Sequence, residues 1–280
     1  MNHENQAPVL SSCFSSDGNT VFSGGADNAV RMWSLTSQAP NSTAPQIGVH
    51  NSPVKSVVFL STTNLVVSGG WDKQLKFWDA RSPNPVGTLE LPERCYDMDT
   101  EGELLVVACA GRKMMTYDVR GNPIANPVME SQLKFQTRCI KAFPDKSGFA
   151  VGSIEGRVGI QYIASNRDRD SFAFKCHRRD KQVYSVNAIS FNRLGTLATA
   201  GSDGTVTFWD KDHKQRLKNV VQINRCISCA NFNVKSDIFA YAASYDWGKG
   251  SSFYSQGQAN EIFLHYTPED EIKYKARRRR

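Results

Sequence analysis

Apolar and small residues recur along this chain in a fixed order. The segments VFSGGADNAVRMW (21–33), VVSGGWDKQLKFWD (66–79) and LATAGSDGTVTFWD (197–210) each contain an apolar pair, a Ser or Thr, two small residues, any residue and then Asp, with Trp six positions further on. The apolar runs alternate on both sides of the small-residue turn, and helical periodicity is not sustained anywhere. Each copy therefore predicts two strands joined by a tight turn.

Weaker copies of the same pattern fill the intervals between these segments. Tyr117 and Tyr162 take the Trp position in two of them, and a last copy begins at residue 239 and, after an insertion, ends at Tyr266. Successive copies lie 39 to 57 residues apart, and another strand-like run precedes each one. A period of about 40–45 residues with four short strands is typical of WD-repeat β-propellers, in which each unit is a blade. The sequence therefore predicts an all-β fold, a WD-repeat β-propeller with six recognisable blades, in one domain over residues 1–268.

Two of the units carry a polar set that recurs at the repeat spacing. Its members are His50, Ser68, Asp72 and Trp78 in one unit and His177, Thr199, Asp203 and Trp209 in the other. These positions match the hydrogen-bonded Asp–His–Ser/Thr–Trp set of WD repeats, which ties the turn between the second and third strands to the loop entering the blade. The same residue types form hydrolase triads, but a catalytic site does not recur with the repeat, so we interpret both sets as structural. Ser23, Asp27 and Trp33 form a third set with no evident His.

Composition is typical of a soluble globular protein. Of the 280 residues, 40% are hydrophobic and 22% are charged, and no stretch approaches the roughly 20 apolar residues of a membrane helix. The N-terminus lacks the basic and apolar regions of a secretory signal. The seven cysteines are an odd number, scattered mostly in apolar runs, as in proteins of a reducing compartment. We therefore expect an intracellular soluble protein.

The chain contains little that catalysis or a metal site would need. It has no phosphate-cradling glycine loop, no His–carboxylate group outside the repeats and no cluster at metal-ligand spacing. Cys226 and Cys229 form a CxxC pair, but their spacing on a predicted strand turns them to opposite faces, and no second pair follows. We therefore predict a protein that is not an enzyme and that needs no metal, cofactor, small-molecule substrate or membrane.

Several segments outside the generic repeat are unusual. They are LPERCY (91–96), EGRV (155–158), FAFKCHR (172–178), VYSVNAISF (183–191) and SYDWGKG (244–250). Through these segments the chain resembles, over nearly its whole length, the messenger-RNA export factor WD-repeat family of the nuclear pore. The mitotic checkpoint WD-repeat protein is the nearest sister and shares the EGRV and FKCHR segments, whereas LPERCY and SYDWGKG favour the export factor. That family has seven blades, and this sequence starts where the second blade should start.

The resemblance implies that the first blade and the strand that closes the ring are absent from this sequence. We expect a chain that lacks its true N-terminus, with a natural six-bladed variant as the alternative. The resemblance further implies a scaffold that binds the hairpin-forming GLEBS segment of an FG-repeat nucleoporin and supports messenger-RNA export. Such a protein would be found in the nucleus and at the nuclear pore complex of the nuclear envelope, and would shuttle to the cytoplasm.

The peptide-binding residues that we assign on this basis lie in two turns. They are Arg157, Glu155, Trp71 and Lys73. An Arg on the rim of a propeller can hold a carboxylate with two parallel hydrogen bonds, which suits the capture of an acidic peptide. An internal salt bridge between Arg157 and Glu155 is the alternative interpretation.

Aromatic and basic residues interleave further along the chain. The resemblance implies a nucleic-acid groove at these positions, and we assign to it Phe174, Lys175, Arg178, Trp209, Lys211, Lys214 and Arg216. Aromatic rings can stack on bases while cations neutralise phosphates, so RNA binding here should be sensitive to salt and nearly independent of sequence. A solvated blade edge is the alternative interpretation.

Positive charge is concentrated at the C-terminus. The chain has a net charge of +7, and six of these charges come from KYKARRRR (273–280). We expect residues 269–280 to be a disordered basic tail that serves as a nuclear-import signal, a phosphate-binding tether or merely a solubilising end.

A short motif supports a different function. Trp78-Asp79-Ala80-Arg81 fits the WDxR pattern of substrate receptors of a cullin ubiquitin ligase. The preferred function is a non-catalytic export scaffold. A mitotic checkpoint adaptor, a cullin-ligase receptor and an RNA-binding module acting on its own are the alternatives.

Overall fold

Antiparallel hairpins make up most of the chain. The computed structural model describes residues 7–36, 44–82, 84–255, 257 and 259–273. The chain divides into two compact units, the first ending at Ser131 and the second beginning at Gln132. Among the described helices, none is long and apolar enough to cross a membrane.

The first unit contains three sheets, each formed by strands that follow one another in the sequence. The first sheet consists of β1 (Val9–Phe14), β2 (Thr20–Gly25), β3 (Ala29–Ser34) and β4 (Gln46–Val49). The second consists of β5 (Val54–Leu60), β6 (Leu65–Gly70), β7 (Gln74–Trp78) and β8 (Gly87–Glu90). The third consists of β9 (Cys95–Glu101), β10 (Leu104–Cys109), β11 (Lys113–Asp118) and β12 (Ile124–Ala125), with β13 (Met129–Glu130) also paired to β11.

The second unit repeats this arrangement. The fourth sheet consists of β14 (Thr137–Ala142), β15 (Gly148–Ser153), β16 (Arg157–Tyr162) and β17 (Phe172–Lys175). A short hairpin, β18 (Arg178–Arg179) with β19 (Gln182–Val183), precedes the fifth sheet of β20 (Val186–Phe191), β21 (Thr196–Gly201), β22 (Thr205–Asp210) and β23 (Gln215–Gln222). The sixth sheet has three strands among the described residues, β24 (Ile227–Phe232), β25 (Ile238–Ala243) and β26 (Glu261–Tyr266).

These six sheets confirm the predicted fold class, an all-β protein with six WD-repeat propeller blades. Each predicted pair of strands around the small-residue turn is the second and third strand of a blade. The prediction of one domain over 1–268 and the prediction of a missing first blade stay predictions.

The cores lie between neighbouring blades of the same unit. The second strands β10, β15 and β21 are buried at every position, whereas the fourth strands β8 and β17 alternate between half-buried and exposed residues. In the second unit, Phe143, Ile160 and Leu197 are fully buried in one cluster between the fourth and fifth blades. Burial of each such side chain contributes about 1.5–3 kcal/mol, so these seams hold the blades together.

The segment expected to be a disordered tail begins with a structured turn. Residues Glu269–Ile272 form the helix α1, and Ile272 is buried with aromatic residues of the fifth and sixth blades. The Thr196 hydroxyl donates to the Ile272 carbonyl oxygen at 2.5 Å. The buried Ile272 side chain anchors this short helix against the sheet, and the disorder expected for 269–280 stays a prediction. Residues 274–280, which carry most of the predicted basic tail, lie outside the described residues.

Candidate functional site

The two polar sets of the repeats form closed hydrogen-bonded groups inside their blades. His50 Nδ1 lies 3.0 Å from Asp72 Oδ1 and its Nε2 lies 2.7 Å from Ser68 Oγ, which also accepts from the Trp78 indole at 2.7 Å. His177, Thr199, Asp203 and Trp209 form the same arrangement, with distances of 2.8, 2.9 and 2.9 Å. Because both His side chains and both hydroxyls are buried and already paired, these groups have the geometry of structural locks rather than of triads open to a substrate.

The third set, in the first blade, pairs its Asp with an Arg of the same blade. In the first blade the Trp33 indole donates to Ser23 Oγ at 2.8 Å. Asp27 forms an ion pair with Arg31, whose Nη1 lies 2.5 Å from Asp27 Oδ2 and whose side chain is buried. Sequence reasoning missed this residue. The available signal was a charged side chain in an apolar strand, four positions after the Asp.

Glu155 and Arg157 flank the turn between β15 and β16, where two cations meet one carboxylate. Arg157 Nε lies 3.4 Å from Glu155 Oε2. Arg178 donates to the carbonyl oxygens of Glu155 at 2.7 Å and Gly156 at 3.2 Å, and its Nη2 lies 4.0 Å from Glu155 Oε2. The structure therefore contains the internal Glu155–Arg157 ion pair that the sequence left as an alternative, and it brings Arg178 to this turn rather than to the nucleic-acid residues.

Gly156 makes this close approach possible. Its φ is +61°, and a Cβ added there would lie 2.7 Å from the Cys176 carbonyl oxygen. Glu155 Oε1 is buried and has no hydrogen-bond partner among the described residues, while the Arg157 side chain is one-third exposed. The turn thus offers a guanidinium with unused donors beside a fixed carboxylate. We call Glu155, Arg157 and Arg178 the Glu–Arg turn.

Trp71 and Lys73 occupy the corresponding turn of the second blade, between β6 and β7. Asp72 between them faces inward to His50, and its carboxylate also accepts from the Asn51 backbone N–H at 2.9 Å. This leaves the Trp71 ring exposed by 40% and directs the Lys73 ammonium to Glu93 Oε1 at 2.7 Å. The inward lock therefore holds outward-facing residues in place on the same turn.

The aromatic residues assigned to RNA lie close together in the second unit. The rings of Phe174 and Trp209 have centroids 4.7 Å apart, and they line a shallow pocket of about 80 Å³. Lys214 Nζ lies 4.6 Å from the centroid of Phe172, a pocket residue that sequence reasoning missed. The alternating FAF of β17 was the available signal for it, since residues two apart on a strand share a face. Both Phe174 and Trp209 also pack against the seam between the fourth and fifth blades.

The basic residues around this pocket differ in their exposure. Lys175, Lys214 and Arg216 are exposed, and cross-strand pairing places Lys175 beside Arg157 and Arg216 beside Trp209. Lys211, which is also assigned to the nucleic-acid groove, is buried. Its ammonium lies 2.7 Å from Asp212 Oδ1 and 4.8 Å from the Phe143 ring centroid. Because the Lys stem fills the seam, the charge is held there by a carboxylate and a ring face.

Two other candidate motifs have ordinary environments. Within the described residues, no group of three or more His, Cys, Asp or Glu side chains is placed to hold a metal ion. Cys229 is exposed and Cys226 half-buried, and burial raises the pKa of the Cys226 thiol. Arg81 of the WDxR motif is 86% exposed, and its Nη2 lies 2.6 Å from Asp79 Oδ2.

The blades and their hydrogen-bonded sets define a WD-repeat β-propeller protein, and the family described as "WD domain, G-beta repeat" matches residues 1–34, 44–79 and 170–210. The chain is 49% identical over 272 residues to "Protein RAE1" of Arabidopsis thaliana, covering 96% of this chain and 77% of that protein. It is 45% identical over 280 residues to the "mRNA export factor" of Xenopus tropicalis and 44% identical over 278 residues to that of Danio rerio, covering 94% of this chain and 74% of each relative. The chain belongs to the mRNA export factor family of WD-repeat proteins.

Proposed function

We propose that this protein is a non-catalytic scaffold for messenger-RNA export, which holds an acidic nucleoporin segment of the GLEBS type at the turns of its blades. The names of its relatives support the role in export. The Glu–Arg turn supports the mode of binding, because the Arg157 guanidinium lies 3.4 Å from Glu155 Oε2 and the Arg157 side chain is one-third exposed. On this proposal the protein acts in the nucleus and at the nuclear pore, and shuttles to the cytoplasm.

The chemistry of the turn favours a carboxylate-bearing peptide over a neutral one. A guanidinium that is oriented before binding loses little side-chain entropy when it binds a second carboxylate. Trp71 offers an exposed ring and Lys73 a further cation at the equivalent turn of the second blade.

RNA binding is the second part of the proposal. The exposed cations beside the pocket are Lys175, Lys214 and Arg216. The rings that line it are Phe172, Phe174 and Trp209. Three exposed cations beside a narrow aromatic pocket suit contacts to a few phosphates and one base, without discrimination between sequences.

The Arg157→Glu variant tests the peptide site. We expect its affinity for a synthetic GLEBS segment, measured by isothermal titration calorimetry, to fall about 10- to 100-fold, because the substitution sets a like charge against the acidic peptide. Arg157→Lys should lose part of the affinity, since an ammonium cannot form the paired hydrogen bonds.

Arg120→Glu is the matched control for this experiment. Arg120 also pairs with an acid two residues earlier, Asp118, and is exposed, but it lies outside the proposed site. Equal affinity of the Arg157→Glu variant and the control would reject the assigned peptide site. Capture of checkpoint kinases instead of a nucleoporin from nuclear extract would favour the checkpoint adaptor.

A further inference from the structure

The loop after β25 displays four aromatic rings and one amino group on the surface of the sixth blade. We define the aromatic platform as Tyr245, Trp247, Lys249, Phe253 and Tyr254. Trp247 and Phe253 are 57% and 63% exposed. The Trp247 ring is stacked on Tyr254 with centroids 5.0 Å apart and an angle of 15° between planes, and Tyr245 lies 5.5 Å from Trp247. Lys249 Nζ lies 5.7 Å from the Phe253 centroid.

The platform is rigidly anchored through Asp246. The buried carboxylate of Asp246 accepts from the Ser202 hydroxyl, from Asn187 Nδ2 at 3.2 Å and from the Gly248 N–H at 3.0 Å. The Asp246 carbonyl oxygen accepts from Arg138 Nη2 at 2.8 Å. Burial alone would raise the pKa of this carboxyl, but the hydrogen bonds from Ser202, Gly248 and Asn187 lower it. The fourth, fifth and sixth blades thus all contribute to holding the loop.

Trp247 is costly to keep in this loop. Its φ is +60°, a left-handed conformation that a bulky residue adopts only under constraint. Backbone strain of this kind is concentrated at binding sites, where the surrounding structure enforces it.

We infer that the aromatic platform is a docking site for a short linear peptide that carries an aromatic or large aliphatic side chain next to an acidic residue. Trp247 and Tyr254 stack on one another and Tyr245 is tilted against both. These rings leave an apolar face and edges, which suit one inserted side chain rather than a series of stacked bases. Lys249 supplies the exposed charge of the platform, whereas the carboxylate of the neighbouring Asp246 is buried and hydrogen-bonded. This charge suits a neighbouring carboxylate, whereas RNA would need a track of several cations.

The test uses a fluorescently labelled peptide that contains the sequence Gly-Ser-Glu-Phe-Glu-Ser-Gly twice in tandem. Its binding to the whole chain is measured by fluorescence anisotropy. Trp247→Gly removes the ring and supplies the residue that the left-handed backbone favours. We expect this variant to keep or raise its thermal midpoint while its affinity for the peptide falls about tenfold or more. Lys249→Glu should weaken binding of this peptide about fivefold, and the variant should prefer a peptide that carries Lys in place of Glu.

Two control variants separate the possible outcomes. Phe135→Ser removes an aromatic residue of the same unit that is 54% exposed, and it should bind the peptide as the unaltered chain does. Lys235→Glu reverses an exposed charge of the same blade outside the platform and should also bind it normally, which separates the effect of Lys249 from a change in net charge. Unchanged peptide affinity in Trp247→Gly, or binding of a twelve-residue oligouridylate in preference to the peptide, would overturn the inference.

Discussion

At the scale of single residues, the buried polar sets of the second and fifth blades are matched donor to acceptor. Asp203 accepts from His177 Nδ1 at 2.8 Å and from the Thr205 backbone N–H at 3.1 Å. Burial alone would raise the pKa of its carboxyl, but the hydrogen bond and charge of His177 and the hydrogen bonds of Thr205 lower it. Burial also lowers the pKa of His50, so this imidazole stays neutral at physiological pH. An unpaired member of either set would be costly, which explains why the sets are complete.

Asp203→Asn is expected to destabilise the protein by about 2–3 kcal/mol near neutral pH, because it removes a buried charged acceptor. A carboxyl whose pKa is lowered by folding contributes stability above its unfolded pKa of about 4, and this contribution is lost as the pH falls through the folded value. The variant should therefore lose less stability than the unaltered chain on acidification below pH 4. Urea unfolding at several pH values measures both effects.

Asp170→Asn is the control for this prediction. Asp170 is exposed and pairs with Arg167 on the surface of the same unit. Its replacement should change the free energy of unfolding by less than about 0.5 kcal/mol. Similar effects of the two variants would contradict the structural role of the buried set.

At the scale of elements, a four-residue helix closes the second unit over the fifth blade. Ile272 of α1 is 6% exposed, and Glu271 accepts from Lys218 Nζ at 2.6 Å and His265 Nε2 at 2.8 Å. A helix this short has no stability of its own, so it forms only where tertiary contacts hold it. These contacts place the start of the predicted basic segment against the fifth blade, at Lys273.

Ile272→Ala is expected to lower the free energy of unfolding by about 2–3 kcal/mol, through lost burial and the cavity left between the blades. Ile262→Ala is the matched control. Ile262 lies on β26 and is 78% exposed, so its truncation should cost less than about 0.5 kcal/mol. Midpoints of urea unfolding compare the two variants. An equal cost at both positions would mean that α1 is not docked in solution.

At the scale of the whole molecule, charge is unevenly distributed along the chain. Six of the seven net positive charges belong to residues 273–280, so the rest of the chain is nearly neutral. Nucleic-acid binding by the blades therefore has to come from a local cluster rather than from the overall charge. Of the cations assigned to nucleic acid, Lys211 and Arg178 are held by other protein groups. Lys175, Lys214 and Arg216 are exposed.

Lys214→Glu together with Arg216→Glu should weaken binding of oligouridylate at least tenfold and flatten its salt dependence. Each phosphate contact contributes about 0.7 to the slope of log affinity against log salt concentration, so loss of two contacts should reduce the slope by about 1.4. Lys211→Met should leave the slope unchanged, because the Lys211 ammonium lies in the seam. Fluorescence anisotropy across a salt series gives both quantities.

Arg193→Glu together with Lys235→Glu, at two exposed positions outside the pocket, changes the net charge by the same four units and controls for total charge. The same loss of affinity in this variant would show that binding follows net charge and that the pocket has no special part in it.

The blades and their hydrogen-bonded sets could be predicted from the sequence, because both arise from patterns that recur within 40–45 residues. Alternation sets the strands, and the Asp–His–Ser/Thr–Trp set lies at short, repeated separations in the chain. Which charged side chains are exposed and which are paired depends on the tertiary structure. Arg178 reaches Glu155 across 23 residues, Lys211 turns into the seam beside Phe143, and Asp246 fixes the loop that exposes Trp247. Such outcomes depend on how side chains distant in sequence compete for one space, and no local pattern records that competition.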